Sequence, residues 1–564
     1  MKKIIIIVSI IGFATMLQTS CSDDFLKEKV LDSFSPENVL VDKSGFEAAI
    51  TALHAFARDE HGIWGGLGDE MSSGTDVATA GVSDTRFLND YGILTPEYST
   101  VTKYWDWCYT KMIKQSNMII DRAEYPEVKW SSEEEKNAIV AEAKFFRAYT
   151  YNVMAHLYGG IPLADREYKE PVFNFDRASK AGTLEFIKND LEFAAEHLPV
   201  PDAGLADGRI YKAAACHLLA EVYISLAMET GDADYYDKSI ATASKIIDTD
   251  DCGEYKLMKE RFGDMNRPGD VFSDLFWTNQ QNRASGNLEI IWALQIELRT
   301  NGGIGPGNSL ARIFGPQVDA VKTPDGKHTN LPCDSIVRCQ GITVPLNYIK
   351  YEIWNEDWND MRNSSYNIRR NWYYNNPAST YLGQLVRITT HSNGRVVIAN
   401  PDGSPTTVPI DTMRAIYPMH RKIEGTPRAE DPTSGNTNNE IIRMRLAETY
   451  LLRAEAYLRK GDLDKAADDI NEVRSRAKAT PVDPSRVTID YLLDERAREL
   501  YIEEPRRLVL SRMGVLYERS IKYNFRANNT MKPFNALFPI PQKAIDANKS
   551  VKIKQNTGYP GAEE

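Results

Sequence analysis

Tyr450-Leu451-Leu452-Arg453-Ala454-Glu455-Ala456-Tyr457-Leu458-Arg459-Lys460-Gly461-Asp462-Leu463-Asp464-Lys465-Ala466-Ala467-Asp468-Asp469-Ile470 is the stretch on which the fold turns. Tetratricopeptide units are helix–turn–helix pairs of about 34 residues with small and large side chains at fixed offsets. Ala454, Tyr457, Gly461, Leu463, Ala466 and Ile470 occupy those offsets. The alanines let two helices approach, Tyr457 and Ile470 fill the groove between them, and Gly461-Asp462 makes the turn. A hairpin of this kind cannot bury its apolar face alone, so others should stack on it.

Working outward, the others can be read. Leu219-Ala220 and Tyr223 begin a looser copy, with helices over about 209–229 and 235–248. Helices over 133–157 and 182–198 form another pair, the first stopped at Gly159-Gly160-Ile161-Pro162, where glycine and then proline end helices. Phe46, Ala49, Ile50, Leu53 and Phe56 fall at three- and four-residue steps and start a helix over 45–57. Its partner covers about Val101 to Ala123. The chain therefore reads as mainly α, with about four tetratricopeptide-like helix pairs in one continuous layer.

Between about 250 and 440 the helical period fails. Short apolar runs (Glu289 to Leu294, Gln384 to Ile388, Arg395 to Ile398) stand among many Asn, Gly and Pro residues. They predict a few short strands and long loops packed on the helices, and loops of that kind tend to carry function. Residues 58–98, rich in Gly, Ser, Thr and Asp, predict a second long loop.

At the N-terminus Lys2 and Lys3 precede an apolar run from Ile4 to Leu17, then Gln18-Thr19-Ser20-Cys21. A charged start, a short apolar segment and small residues before a cut site describe a secretory signal. The run is too short to span a bilayer, which takes about 20 residues. A cysteine at that place resembles the acylated first residue of bacterial lipoproteins, and Ser22-Asp23-Asp24 resembles the acidic tag for surface export; a plain secreted protein cut nearby is the competing reading. The expected division is 1–20 signal, 21–41 lipidated tether and 42–564 a single domain, with helices over 42–249 and 441–480, the loop-rich part at 250–440 and a C-terminal segment at 481–564.

Composition narrows the function. Sixty-seven basic against 79 acidic residues give a net charge of -12, without the clustered basic surface a nucleic acid needs. Of the cysteines after Cys21, Cys108 and Cys216 lie in helical patterns and read as small buried groups. Cys333 and Cys339 bracket a loop that a disulfide would close, subject to geometry. No C-x-x-C, H-E-x-x-H or G-x-S-x-G occurs, and Gly302-Gly303-Ile304-Gly305-Pro306-Gly307 lacks the Gly-Lys-Ser/Thr of a phosphate loop. These gaps predict no metal, no cofactor and no enzyme activity, although two carboxylates apposed in space would escape a sequence search.

Several segments together resemble the SusD/RagB family of nutrient-binding outer-membrane lipoproteins. They are Ala141-Glu142-Ala143-Lys144-Phe145-Phe146-Arg147-Ala148-Tyr149 with Tyr158-Gly159-Gly160-Ile161-Pro162; Arg445-Leu446-Ala447-Glu448 running through Ala456; Ile470 to Ala477; Asp494-Glu495-Arg496-Ala497-Arg498-Glu499-Leu500 with Glu504-Pro505-Arg506-Arg507; and Phe538-Pro539-Ile540-Pro541 leading to Gln555-Asn556-Thr557-Gly558-Tyr559. They stand in the family's order along nearly the full chain. The resemblance implies a SusD-like α-helical fold and a lipoprotein, acylated at Cys21, held on the outside of the outer membrane. It further implies a lid over a SusC-like TonB-dependent transporter that binds oligosaccharides, or peptides in the RagB branch, without cleaving them; a surface glycoside hydrolase is the remaining alternative. The charged residues of these motifs (Glu142, Arg147, Glu448, Arg453, Glu495, Arg498 and Arg507) are expected to tie helices together. By location, Asp76, Arg86, Phe87 and Tyr91 of the early loop and Phe314, Tyr348 and Trp354 of the middle are the expected ligand contacts. The run from Met361 to Asn375 is expected to form a structured surface, with the transporter as its candidate neighbour.

Overall fold

Ser132 accepts a hydrogen bond from the Glu135 amide, and Glu133, Glu134 and Glu135 place negative charge on the first turn of the helix that follows. Both effects favour a helix start. That helix, Glu133–Tyr158, ends at Gly159, whose φ of 76° suits glycine. It is the longest in the computed structural model, which describes residues 35–62, 71–81, 89–202, 207–296, 307–323, 325–333, 336–390, 396–399, 412–427 and 433–563. The signal segment, Cys21, and Arg86 and Phe87 lie outside the described residues.

In chain order the helical layer comprises α1 (Lys43–Gly62), α2 (Ser99–Trp107), α3 (Lys114–Arg122), α4 (Glu133–Tyr158), α5 (Lys180–His197), α6 (Lys212–Thr230) and α7 (Asp234–Ile247). It resumes at α8 (Leu446–Lys460), α9 (Leu463–Arg476) and α10 (Ile489–Leu500). A π-helical turn, Cys108–Ile113, joins α2 to α3, so the expected single helix over 101–123 carries a bulge. Each of α4 to α7 packs on the next, and α7 then packs on α8, although some two hundred residues intervene in the sequence. The last hairpin, α8–α9, thus completes the stack begun near the N-terminus. At its turn Gly461 has φ 84° and Asp462 accepts from the Lys465 amide, as the alanine spacing predicted.

Among the described residues the strands form four two-stranded antiparallel sheets. They pair β1 (Ala78–Ala80) with β3 (Thr343–Pro345), β2 (Ile290–Leu294) with β8 (Ile441–Arg445), β4 (Ile368–Arg369) with β7 (Met419–His420), and β5 (Ile388–Thr390) with β6 (Val396–Ile398). The second of these joins the two halves, because β8 runs straight into α8 while β2 carries Trp292 into the helical core. Trp292 meets Phe145, Phe146 and Tyr149 of α4 edge to face, with ring centroids 5.5–6.0 Å apart, the geometry that aromatic quadrupoles favour. Separate apolar clusters, one around Ile313, Phe314, Trp372 and Met419 and another around Tyr348, Trp354 and Tyr501, fill the space beneath the loops.

Between helices and loops lies a lattice of buried charge. Arg362 bonds Asp360, Glu495 and Glu499 at 2.6–2.9 Å; Arg445 bonds Glu289, Glu499 and Glu503; Arg476 bonds Glu289 and Glu499. Glu142 meets His54 and Arg209, Arg147 meets Asp190, Arg453 meets Asp469, and Arg496 meets Glu448 and Glu504. The motif charges therefore tie elements together as expected, with Arg507 bonding the Ser73 carbonyl and the Tyr91 hydroxyl. Burial alone would push the Glu495 carboxyl up; the guanidinium groups of Arg362, Arg498 and Arg474 outweigh it and hold the group at about 2. Such clusters survive burial only when nearly every donor and acceptor is matched.

Candidate functional site

Five of the residues expected to touch ligand are part of this interior, and the expectation is corrected for each. Asp76 is wholly buried and accepts from Arg506 Nε and Nη2 at 2.9 and 2.7 Å and from Arg519 Nε at 2.8 Å. The Tyr91 hydroxyl donates to the Gly74 carbonyl and accepts from Arg507. Tyr348 donates to Asp494, accepts from Arg519 and lies against Tyr523 with centroids 4.1 Å apart. Trp354 is buried and donates to the Ile349 carbonyl at 3.1 Å, and Phe314 packs edge-on against Tyr501. The cause is common to all five: α10 and the segment after it thread beneath these loops and draw their side chains inward.

The Cys333–Cys339 bond is also corrected. Cys333 and Ile336 exchange both backbone hydrogen bonds and Cys333 is exposed, while Cys339 is buried with its thiol on the Val337 carbonyl. The two thiols near each other are instead Cys216 of α6 and Cys252, both buried, with sulfur atoms 3.5 Å apart.

What the loops do present to solvent is a pair of aromatic rings with a cation between them. Tyr351 is 43% exposed and Trp358 52% exposed. The Arg370 guanidinium, just after β4, lies 5.6 Å from the Tyr351 ring centre and 5.4 Å from that of Trp358. Arg370 Nη1 donates to the Lys350 carbonyl at 2.8 Å and Nη2 donates to Asn363 Oδ1. Asn363 in turn donates through Nδ2 to the Trp358 carbonyl at 3.0 Å. Asp357 accepts from the backbone and side chain of Thr480, just past α9, which pins the turn carrying Trp358 to the helical layer. Beneath the ledge, buried Trp354 and Arg362 anchor the chain on both sides of that turn. Exposed single apolar residues are ordinary, but two exposed rings that share one hydrogen-bonded arginine make a candidate contact surface.

Such a ledge can bind by contact. Flat π-faces accept the C–H groups of a sugar ring, and the arginine supplies donors for hydroxyls or charged oxygens. Among the described residues no cluster of His, Cys, Asp or Glu suited to a metal ion occurs. A second exposed group lies nearby in sequence, where Tyr373 pairs with Leu385 across a β-bridge and Leu331 is tied on by hydrogen bonds with Asn375. The sequence reading passed over Tyr351 and Trp358. The available signal was Asp357-Trp358-Asn359, a tryptophan enclosed by turn-forming polar residues.

A stack of helix pairs overlaid by loops that hold Tyr351, Trp358 and Arg370 together defines a helical-repeat scaffold. Residues 318–559 match the family described as the SusD family, and residues 32–224 match a family described as starch-binding, associating with the outer membrane. The chain belongs to the SusD family. It is 26% identical over 489 residues to the starch-binding protein SusD of Bacteroides thetaiotaomicron, covering 80% of this chain and 78% of that one. Among solved structures it resembles a laminarin-binding SusD-like protein (TM-score 0.64, 21% identity, covering 92% of this chain and 99% of the other). It also resembles surface glycan-binding protein A of Bacteroides thetaiotaomicron in complex with laminarihexaose (TM-score 0.66, 20% identity, covering 91% and 99%).

Proposed function

We propose that this chain is a cell-surface glycan-binding lipoprotein that captures oligosaccharides on the Tyr351–Arg370–Trp358 ledge and passes them to a SusC-like TonB-dependent transporter, over which it sits as a lid. The carrying observation is the ledge itself: two exposed rings fixed around one guanidinium by hydrogen bonds that run to the helical layer. Family membership and relatives named for starch and laminarin support a sugar as the ligand. The signal segment followed by Cys21 supports a lipid anchor, and no helix among the described residues is long and apolar enough to cross a membrane. Binding without bond cleavage is part of the proposal.

Native gels cast with a panel of polysaccharides test it. Retarded migration without released product is expected for at least one glycan, and Trp358→Ala should remove the retardation. Release of shorter sugars, or retardation indifferent to both Trp358→Ala and Tyr351→Ala, would overturn the reading.

A further inference from the structure

The ledge is cationic in a chain that carries a net charge of -12. Among the described residues Arg370 bonds two neutral acceptors, the Lys350 carbonyl and the Asn363 side-chain oxygen, and no carboxylate. The Lys350 ammonium lies 5.9 Å from the centre of the Tyr351 ring and has no acid partner among the described residues. This is not how the chain treats its other arginines nearby. Arg362 has Asp360, Glu495 and Glu499; Arg369 has Glu424; Arg498 has Glu495 and Glu356.

The acids of the same segment are engaged elsewhere. Glu356 bridges Arg486 and Arg498, Asp357 accepts from Thr480 and Asp360 faces Arg362. Glu352 is exposed and forms no ion pair with either cation among the described residues. Burial lowers Lys350 to about 8 and also lowers Arg370. A half-buried cation without a counter-charge is costly unless something else brings one.

We infer that the ledge is built for an anionic glycan, whose uronate carboxylates or sulfate esters pair with Arg370 and Lys350 while its sugar rings stack on Tyr351 and Trp358. The inference rests on the glycan-binding reading of this ledge. A guanidinium meets a carboxylate or sulfate through paired N–H donors, the strong, charge-assisted form of hydrogen bond. A neutral sugar would cover the two cations without neutralising them, so the same stacking would yield weaker binding.

Calorimetry on the full mature protein at 150 mM NaCl tests this with three hexasaccharides: hexagalacturonate for carboxylate, a carrageenan hexamer, sulfated but free of carboxylate, for sulfate, and maltohexaose as the neutral control. One of the two anionic probes should bind at least about tenfold tighter than maltohexaose, the size of one charge-assisted hydrogen bond. Which of them binds tighter names the anion. Arg370→Gln, and separately Lys350→Met, should bring that ratio toward one, with thermal melts showing that each variant is folded. Maltohexaose bound as tightly as either anion, with Trp358→Ala abolishing it, would overturn the anionic inference and leave the glycan-binding reading standing. If the wild-type protein binds none of the three, and the polysaccharide gels show no retardation, both fall.

Discussion

Replacing Asp76 by asparagine keeps the side chain's shape and removes one negative charge from between two buried arginines. In the structure Asp76 takes three hydrogen bonds from Arg506 and Arg519 and is wholly enclosed. Breaking a buried ion pair from one side costs about 3–5 kcal/mol, because the opposite charge stays behind uncompensated. Here the loss is shared. Arg506 retains Glu504 at 2.8 Å, and Arg519 retains Asp490 and Asp494 at 2.9 and 2.8 Å. The lower end, about 3 kcal/mol, is therefore expected. With an unfolding entropy of roughly 2 cal/mol/K per residue and 564 residues, that corresponds to a fall in Tm of about 2–3 °C. Scanning calorimetry reads the melt, and titration with a retained glycan reads binding. Asp76→Asn should lower the melt and leave glycan affinity within about twofold of wild type. An unchanged melt together with a tenfold weaker affinity would refute this reasoning and return Asp76 to the ligand site.

The buried carboxylates also set a pH window. Glu448, Glu455 and Glu495 are each held at about 2, below the ordinary 4.5, as arginines (and His217 at Glu448) outweigh the opposing effect of burial. Their stabilisation is complete above about 4.5 and is lost as pH falls toward 2; a Tm that stays level from pH 5 down to 2 would contradict it. Gly461→Ala meets no atom within 4 Å of the new methyl but must adopt φ 84°, so it should cost about 1 kcal/mol by guanidine denaturation, and a neutral result would deny that the turn is fixed. In alkylation of the native protein Cys333 should react first, with Cys108, Cys216, Cys252 and Cys339 protected until unfolding; a peptide joining Cys333 to Cys339 in a non-reducing map would contradict the structure.

Much of the scaffold was readable because helices repeat themselves. The expected segments 133–157, 182–198, 209–229 and 235–248 lie within a few residues of α4 to α7, since apolar spacing and terminal glycines are local signals. That α8 needs a packed neighbour was readable, because a hairpin with one apolar face cannot stand alone; that the neighbour is α7, some two hundred residues earlier, was not. The π turn at Cys108–Ile113 was not, as it adds a residue to the helix without breaking the apolar pattern.

The site was far less readable. In a loop no period tells whether Tyr348 or Tyr351 faces outward. The structure shows one sealed by Arg519 and Asp494 and the other open to solvent, three positions apart. Asp76 resembled a sugar-binding acid until Arg506 and Arg519, more than four hundred residues later in the chain, reached it. The charges in Asp494 to Arg507 marked the family, yet their partners Arg362, Arg445 and Asp76 come from distant segments that no single-sequence pattern links.

A crystal structure of the protein with an oligosaccharide that it retains bears most directly on the account. One sugar ring should lie against the face of Trp358 or Tyr351, with a sugar oxygen within hydrogen-bonding reach of Arg370. A sugar ordered elsewhere, with both rings still bare, would contradict it.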